Sequence, residues 1–87
     1  MTLLPPKQAK VLDALDHLTR DDYYIGFKFL SVNTGLDVAE VRRLVRALAR
    51  KGLAAYGRGL WSEDGGPAGS GYRCTKLGRV IAKELRP

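Results

Sequence analysis

The stretch LDVAEVRRLVRALARKGLA, Leu36 to Ala54, has oil along one helical surface and arginine along the other. At about 100° per residue, Val41, Leu44, Val45 and Leu48 fall within one arc roughly 100° wide, and Arg42, Arg43, Arg46 and Arg50 share a similar arc opposite. A helix of this kind can be fixed to a small core while it presents four guanidinium groups to a polyanion. Arginine suits that task because its planar fork binds a phosphate or a guanine edge through paired hydrogen bonds. A merely solvated helix also carries long charged side chains, since these are good helix formers. Here the charge is one-sided: after Asp37, the predicted N-cap, Glu40 is the helix's only carboxylate.

The rest of the chain is read outward from that helix. With 87 residues it makes one domain, residues 1–87, with a modest core that leaves room for partners to add burial. The formal net charge is +6. In residues 1–36 the cations Lys7, Lys10, Arg20 and Lys28 balance Asp13, Asp16, Asp21 and Asp22, so the whole excess lies from Asp37 onward, and that half is the candidate contact surface for nucleic acid. No segment approaches 18 consecutive apolar residues and MTLLPPKQ has no secretory pattern, so a soluble, cytoplasmic chain without membrane contact is expected. Cys74 is the single cysteine, which excludes an internal disulfide and leaves no zinc cluster. It reads as a small hydrophobe on a strand. His17 lies off the apolar stripe of its helix and reads as a surface side chain. With one histidine, one cysteine and no paired carboxylates, neither a catalytic constellation, a metal site nor a cofactor is expected.

Pro5 and Pro6 open a first helix, about residues 6–19, in which Val11, Leu12, Leu15 and Leu18 recur at helical spacing. Asp21 and Asp22 break it, and Tyr23, Tyr24 and Ile25 read as a short extended piece. GFKFLSVNTG then places Phe27, Leu30 and Ser31 on the inner face of a two-turn helix stopped by Asn33, Thr34 and Gly35. Asp37 is expected to cap the arginine helix through its carboxylate. A short helix, a glycine turn and a basic helix make a helix-turn-helix over about 27–52. LAAYGRGLW suits a strand, whereas SEDGGPAGSG, with Gly65, Gly66, Gly69, Gly71 and Pro67, is expected to be an irregular loop. Tyr72, Arg73 and Cys74 return as a second strand, closing a wing over about 53–74. Thr75 caps a last helix, about 75–86, with Leu77, Val80, Ile81 and Leu85 on one side. The fold class is therefore α+β and mainly helical: a three-helix core, a two-stranded wing and a C-terminal helix.

FLSVNTGLDVAEVRRLVRALARKGLAAYGRG followed by YRCTKLGRVIA resembles the winged helix-turn-helix domain of bacterial and archaeal transcriptional regulators of the multiple-antibiotic-resistance and arsenic-resistance repressor groups. In those domains a small-residue turn leads into a recognition helix ending in Lys-Gly-Leu, and the strand after the wing ends in a Tyr-x-Leu-Thr-x-x-Gly pattern, here Tyr72 to Gly78. The resemblance implies that Val38, Ala39, Glu40, Arg42 and Arg43 meet the major groove of double-stranded DNA. It implies Arg46 near the phosphates, Arg58 and Arg73 on the wing, and Lys28 or Asn33 on the flanking helix. Two departures stand out. Val38, Ala39 and Glu40 are poor in hydrogen-bond donors, and the wing tip carries Glu63 and Asp64, which repel phosphate. Glu40 either accepts from a cytosine or pairs with Arg43 at i,i+3. The resemblance further implies a homodimer through the terminal helices. A protein-interaction module is the alternative to a DNA-binding regulator, because Phe29 and Val32 lie away from the buried face of their helix.

Overall fold

The computed structural model describes residues 4–19, 24–61 and 67–86. Its elements run in the order α1 (Pro6–Leu18), α2 (Phe27–Thr34), α3 (Val38–Arg50), β1 (Ala54–Trp61), β2 (Pro67–Cys74) and α4 (Lys76–Leu85). α1, α2 and α3 pack around one core, α4 lies against α1, and the antiparallel hairpin β1–β2 projects as the wing. This is a winged helix-turn-helix.

The fully buried apolar residues of α1, α2 and α3 come from the faces that their periodicity predicts, whereas Leu18, Phe27, Ser31 and Leu44 of those faces are only partly buried. α1 contributes Val11, Leu12 and Leu15, α2 contributes Leu30, and α3 contributes Val41, Val45 and Leu48, all fully buried. A buried side chain of this kind contributes about 1.5–3 kcal/mol, so these seven dominate the helical core. Leu53, Ala54, Cys74, Ile81 and Ala82 extend that core under the wing and α4. The α4 stripe divides: Ile81 is buried with Gly78 and Ala82, whereas Leu77 and Val80 stay about half exposed. Thr75 caps α4 as expected, its Oγ1 accepting from the Gly78 N–H at 2.9 Å. Thr19 ties the layers together, since its hydroxyl donates to the Leu15 carbonyl and accepts from the Cys74 N–H at 3.0 Å.

Three local expectations are corrected. α2 runs through Asn33 and Thr34, because both side chains donate back to carbonyls four residues earlier and so stay within the helix. The stop is Gly35 alone, whose φ of 74° suits a residue without a Cβ. Asp37 occupies the N-cap of α3, but its exposed carboxylate makes no capping bond among the described residues; its backbone carbonyl accepts from the Val41 N–H at 2.9 Å. Finally, Pro67–Gly71 lies in β2 and not in a loop. The hairpin pairs Ala54 with Cys74 and Gly57 with Gly71, then shifts register between Gly57 and Leu60 and again between Leu60 and Trp61. Gly71 is needed there for close approach. A Cβ on it would meet the Ile25 carbonyl oxygen at 2.5 Å. That carbonyl accepts from the Tyr72 N–H, and the Ile25 N–H donates in return to Tyr72, both at 2.9 Å, so the chain before α2 adds a bridge to the wing. Within the segment read as extended, Tyr23 lies outside the described residues.

Candidate nucleic-acid interface

The outward surface of α3 follows from the packing of its inner one. With Val41, Val45 and Leu48 buried, Ala39, Arg42, Arg43, Arg46 and Arg50 are exposed on the far side, and Val38 is partly covered at the first turn. Among the described residues no carboxylate lies within ion-pair distance of Arg42, Arg46 or Arg50. Asp37, Ala39, Glu40, Arg42 and Arg43 line an open depression over the first turns of the helix. The positive end of the α3 dipole lies at that same end, where the lining sets two guanidiniums against two carboxylates.

The two flanks of α3 are built differently. Toward the wing, Gly26, Phe27, Arg46, Tyr56, Gly71 and Tyr72 enclose a slot of about 220 Å³. Phe27 stacks on Tyr72 with centroids 5.5 Å apart, and Tyr56 meets Tyr72 edge to face at the same separation. Arg42 lies 5.8 Å over the Phe27 ring. A cation held over a ring gains about 0.5–1 kcal/mol at an exposed site, which orients Arg42 without consuming its hydrogen-bond donors. Toward α1, the Glu40 carboxylate accepts from Lys7 Nζ at 3.0 Å and faces the Arg43 guanidinium at 3.7 Å. Lys51 Nζ donates to the Gln8 side-chain oxygen at 2.7 Å, which holds the first turn of α1 against the end of α3.

The remaining sequence candidates are more scattered. Lys28 and Asn33 are exposed on α2, and the Asn33 amide already donates to the Phe29 carbonyl at 2.9 Å. Arg73 follows Tyr72 on β2, and successive strand residues point to opposite faces, so it leaves the slot and stands 5.8 Å from the Tyr24 ring. The backbone puts Arg58 on β1. Glu63 and Asp64 lie outside the described residues.

Sequence reasoning missed the aromatic frame of Phe27, Tyr56 and Tyr72, and it missed Lys7. It also counted every cation after Asp37 as contact surface. Two of them are not available: Arg86 pairs with Asp13 at 2.8 Å and with Asp16, and Arg79 faces Asp16 at 3.9 Å. The Cys74 thiol is buried. Burial, and then the Asp16 charge, push its pKa up to about 11, so it stays protonated and unreactive at neutral pH. No group of three His, Cys, Asp or Glu side chains able to hold a metal ion occurs among the described residues, and no described helix is long and apolar enough to cross a membrane.

No protein-family model and no curated protein sequence matches the chain. Several solved structures do match it in fold. Staphylococcus aureus MepR, solved with ethidium bromide, aligns over 92% of this chain and 53% of its own at 16% identity, with a TM-score of 0.73. The PcaV transcriptional regulator of Streptomyces coelicolor, solved with its natural ligand, aligns over 94% and 52% at 21% identity, with a TM-score of 0.69. A Ralstonia eutropha JMP134 protein aligns over 98% of this chain and 100% of its own at 20% identity, with a TM-score of 0.73. The chain spans about half the length of the MepR and PcaV structures. At these identities the likeness is one of fold, and the fold is the winged helix.

Proposed function

We propose that the chain is a DNA-binding transcriptional regulator, with α3 seated in the major groove of duplex DNA. The observation that carries this reading is the outward surface of α3, where four exposed arginines face solvent and, among the described residues, Glu40 is the only carboxylate within ion-pair distance of any of them. Arg42 and Arg43 then reach base edges, with Val38 and Ala39 packing against the groove floor and Arg46 contacting the backbone. Arg58 and Arg73 on the wing, and Lys28 and Asn33 on α2, supply the outer phosphate contacts. The PcaV regulator, similar in fold, supports the reading by analogy. Two copies paired through α4, where Leu77 and Val80 are half exposed, would set two α3 helices on neighbouring turns of the duplex.

Salt dependence is the test. Contact with about four to six phosphates gives a log–log slope steeper than about −3.5, since each contributes about 0.9. A slope near zero between low and physiological salt removes the DNA reading. That result would favour a protein-interaction module, for which Phe29 and Val32, 51% and 77% exposed on α2, offer the apolar surface.

A further inference from the structure

Lys7 comes from the half of the chain whose charges cancel, yet the fold delivers it to the basic surface of α3. Pro5 and Pro6 lead straight into it, and a fixed proline φ pre-sets the first turn of α1. Two contacts then hold that turn along α3: Lys7 to Glu40 at 3.0 Å and Gln8 to Lys51 at 2.7 Å. One oxygen of Glu40 faces both the Lys7 ammonium and the Arg43 guanidinium, and the side-chain exposures are 61% for Lys7 and 77% for Arg43 against 24% for Glu40. The carboxylate is therefore covered by two cations that both face solvent. An ammonium has three donors, so Lys7 keeps donors to spare after Glu40 is satisfied. Glu40 and Arg46 lie six residues apart, roughly 120° around the helix axis. The flank of α3 toward the wing thus carries Arg46, and the flank toward α1 carries Lys7.

We propose that the first turn of α1 is a second phosphate-contacting flank, in which Lys7 reaches the DNA backbone beside Arg43, and that Glu40 is a positioning residue for these two cations and not a reader of a base. The inference rests on the DNA-binding reading above. It gives a reason for a carboxylate at the centre of a basic surface: without it, two like charges at this separation would repel, and the long stem of Lys7 would have no anchor.

The test compares the full chain with Lys7→Ala, Lys7→Arg and Glu40→Gln. Each is measured for binding to one duplex across a salt series and by selection from randomised duplexes, with circular dichroism to establish that each variant is folded. Lys7→Ala should flatten the log–log salt slope by about 0.9, the value for one phosphate, and weaken all sequences alike. Lys7→Arg should keep the wild-type slope, and Glu40→Gln should leave the selected sequence unchanged. An unchanged slope in Lys7→Ala, or a flattened one in Lys7→Arg, overturns the α1 flank. A changed base at one selected position in Glu40→Gln makes Glu40 a base reader and overturns its positioning role. If the wild-type chain itself shows no salt-dependent duplex binding, the DNA-binding reading fails and the inference fails with it.

Discussion

Arginine does two different jobs in this molecule, and the seam between α1 and α4 differs from the outer surface of α3 in where the carboxylates are and in how far the guanidiniums are covered. In the seam, Asp16 is 5% exposed and lies between Arg79 and Arg86, with Asp13 adding a second bond to Arg86 at 2.8 Å. Arg79 also donates to the Thr19 carbonyl at 2.9 Å. On α3, Arg42, Arg46 and Arg50 have no carboxylate within ion-pair distance among the described residues. The first set of guanidiniums is consumed by structure. The second set is left with its donors and charge directed to solvent. A count of charges along the chain cannot separate the two, because the neutralising acids lie some seventy residues away from Arg86 in sequence and beside it in space.

Substitutions on the two surfaces should therefore give opposite results. The largest effect is expected in the seam. Asp16→Ala removes the buried carboxylate that Arg79 and Arg86 share, while Arg86 keeps Asp13 and Arg79 keeps the Thr19 carbonyl. It should lower the melting temperature by roughly 5–10 °C, since each kcal/mol lost shifts it by about 4–8 °C in a domain of this size. Below the transition the variant should bind duplex DNA as the wild type does. Thermal unfolding and a binding titration at low temperature check both parts, and loss of DNA affinity in the folded variant would erase the distinction between the surfaces.

On α3 the pattern should reverse. Arg42→Ala and Arg43→Ala should each cost about 1–3 kcal/mol of duplex binding, with the melting temperature nearly unchanged, because both side chains are exposed. Arg42 also rests over Phe27, so its truncation should show the small extra loss in stability that Arg43→Ala lacks. Wild-type affinity in both variants would mean that another surface meets the DNA.

The smallest effect is expected at the wing tip. Glu63→Lys combined with Asp64→Lys removes the carboxylates nearest the proposed wing contacts in sequence. Non-specific binding should strengthen and its salt slope should steepen by about 0.9 for each new phosphate contact, while the selected sequence stays the same. If specific binding is abolished instead, the acidic tip is itself a recognition element, and a protein reading this loop becomes the better account.

Much of the architecture was legible because it is written in local repeats. The 3.6-residue period of α1 and α3, the glycine at 35 and the threonine cap at 75 each depend on neighbours within a few positions, so periodicity and turn chemistry located them. The same locality explains why the arginine surface of α3 was found: its outward direction is implied by the buried one. The strand character of Pro67–Gly71 was not legible, since glycine-rich composition describes what an isolated chain can do, whereas the hairpin register and the approach of Ile25 oblige Gly71 to be small.

By itself, then, the sequence determined which segments are helical, which side of each is apolar, and that one helix presents arginine to solvent. Only the tertiary structure decided which charges are spent and which are offered. Lys7 meets Glu40 and Arg86 meets Asp16 because α1 crosses α3 and α4 in a particular register, and that crossing is set by the fit of Val11, Leu12 and Leu15 into the common core. Coulombic pairing acts over a few ångströms of space, and the order of residues along the chain does not encode that distance until the core has packed.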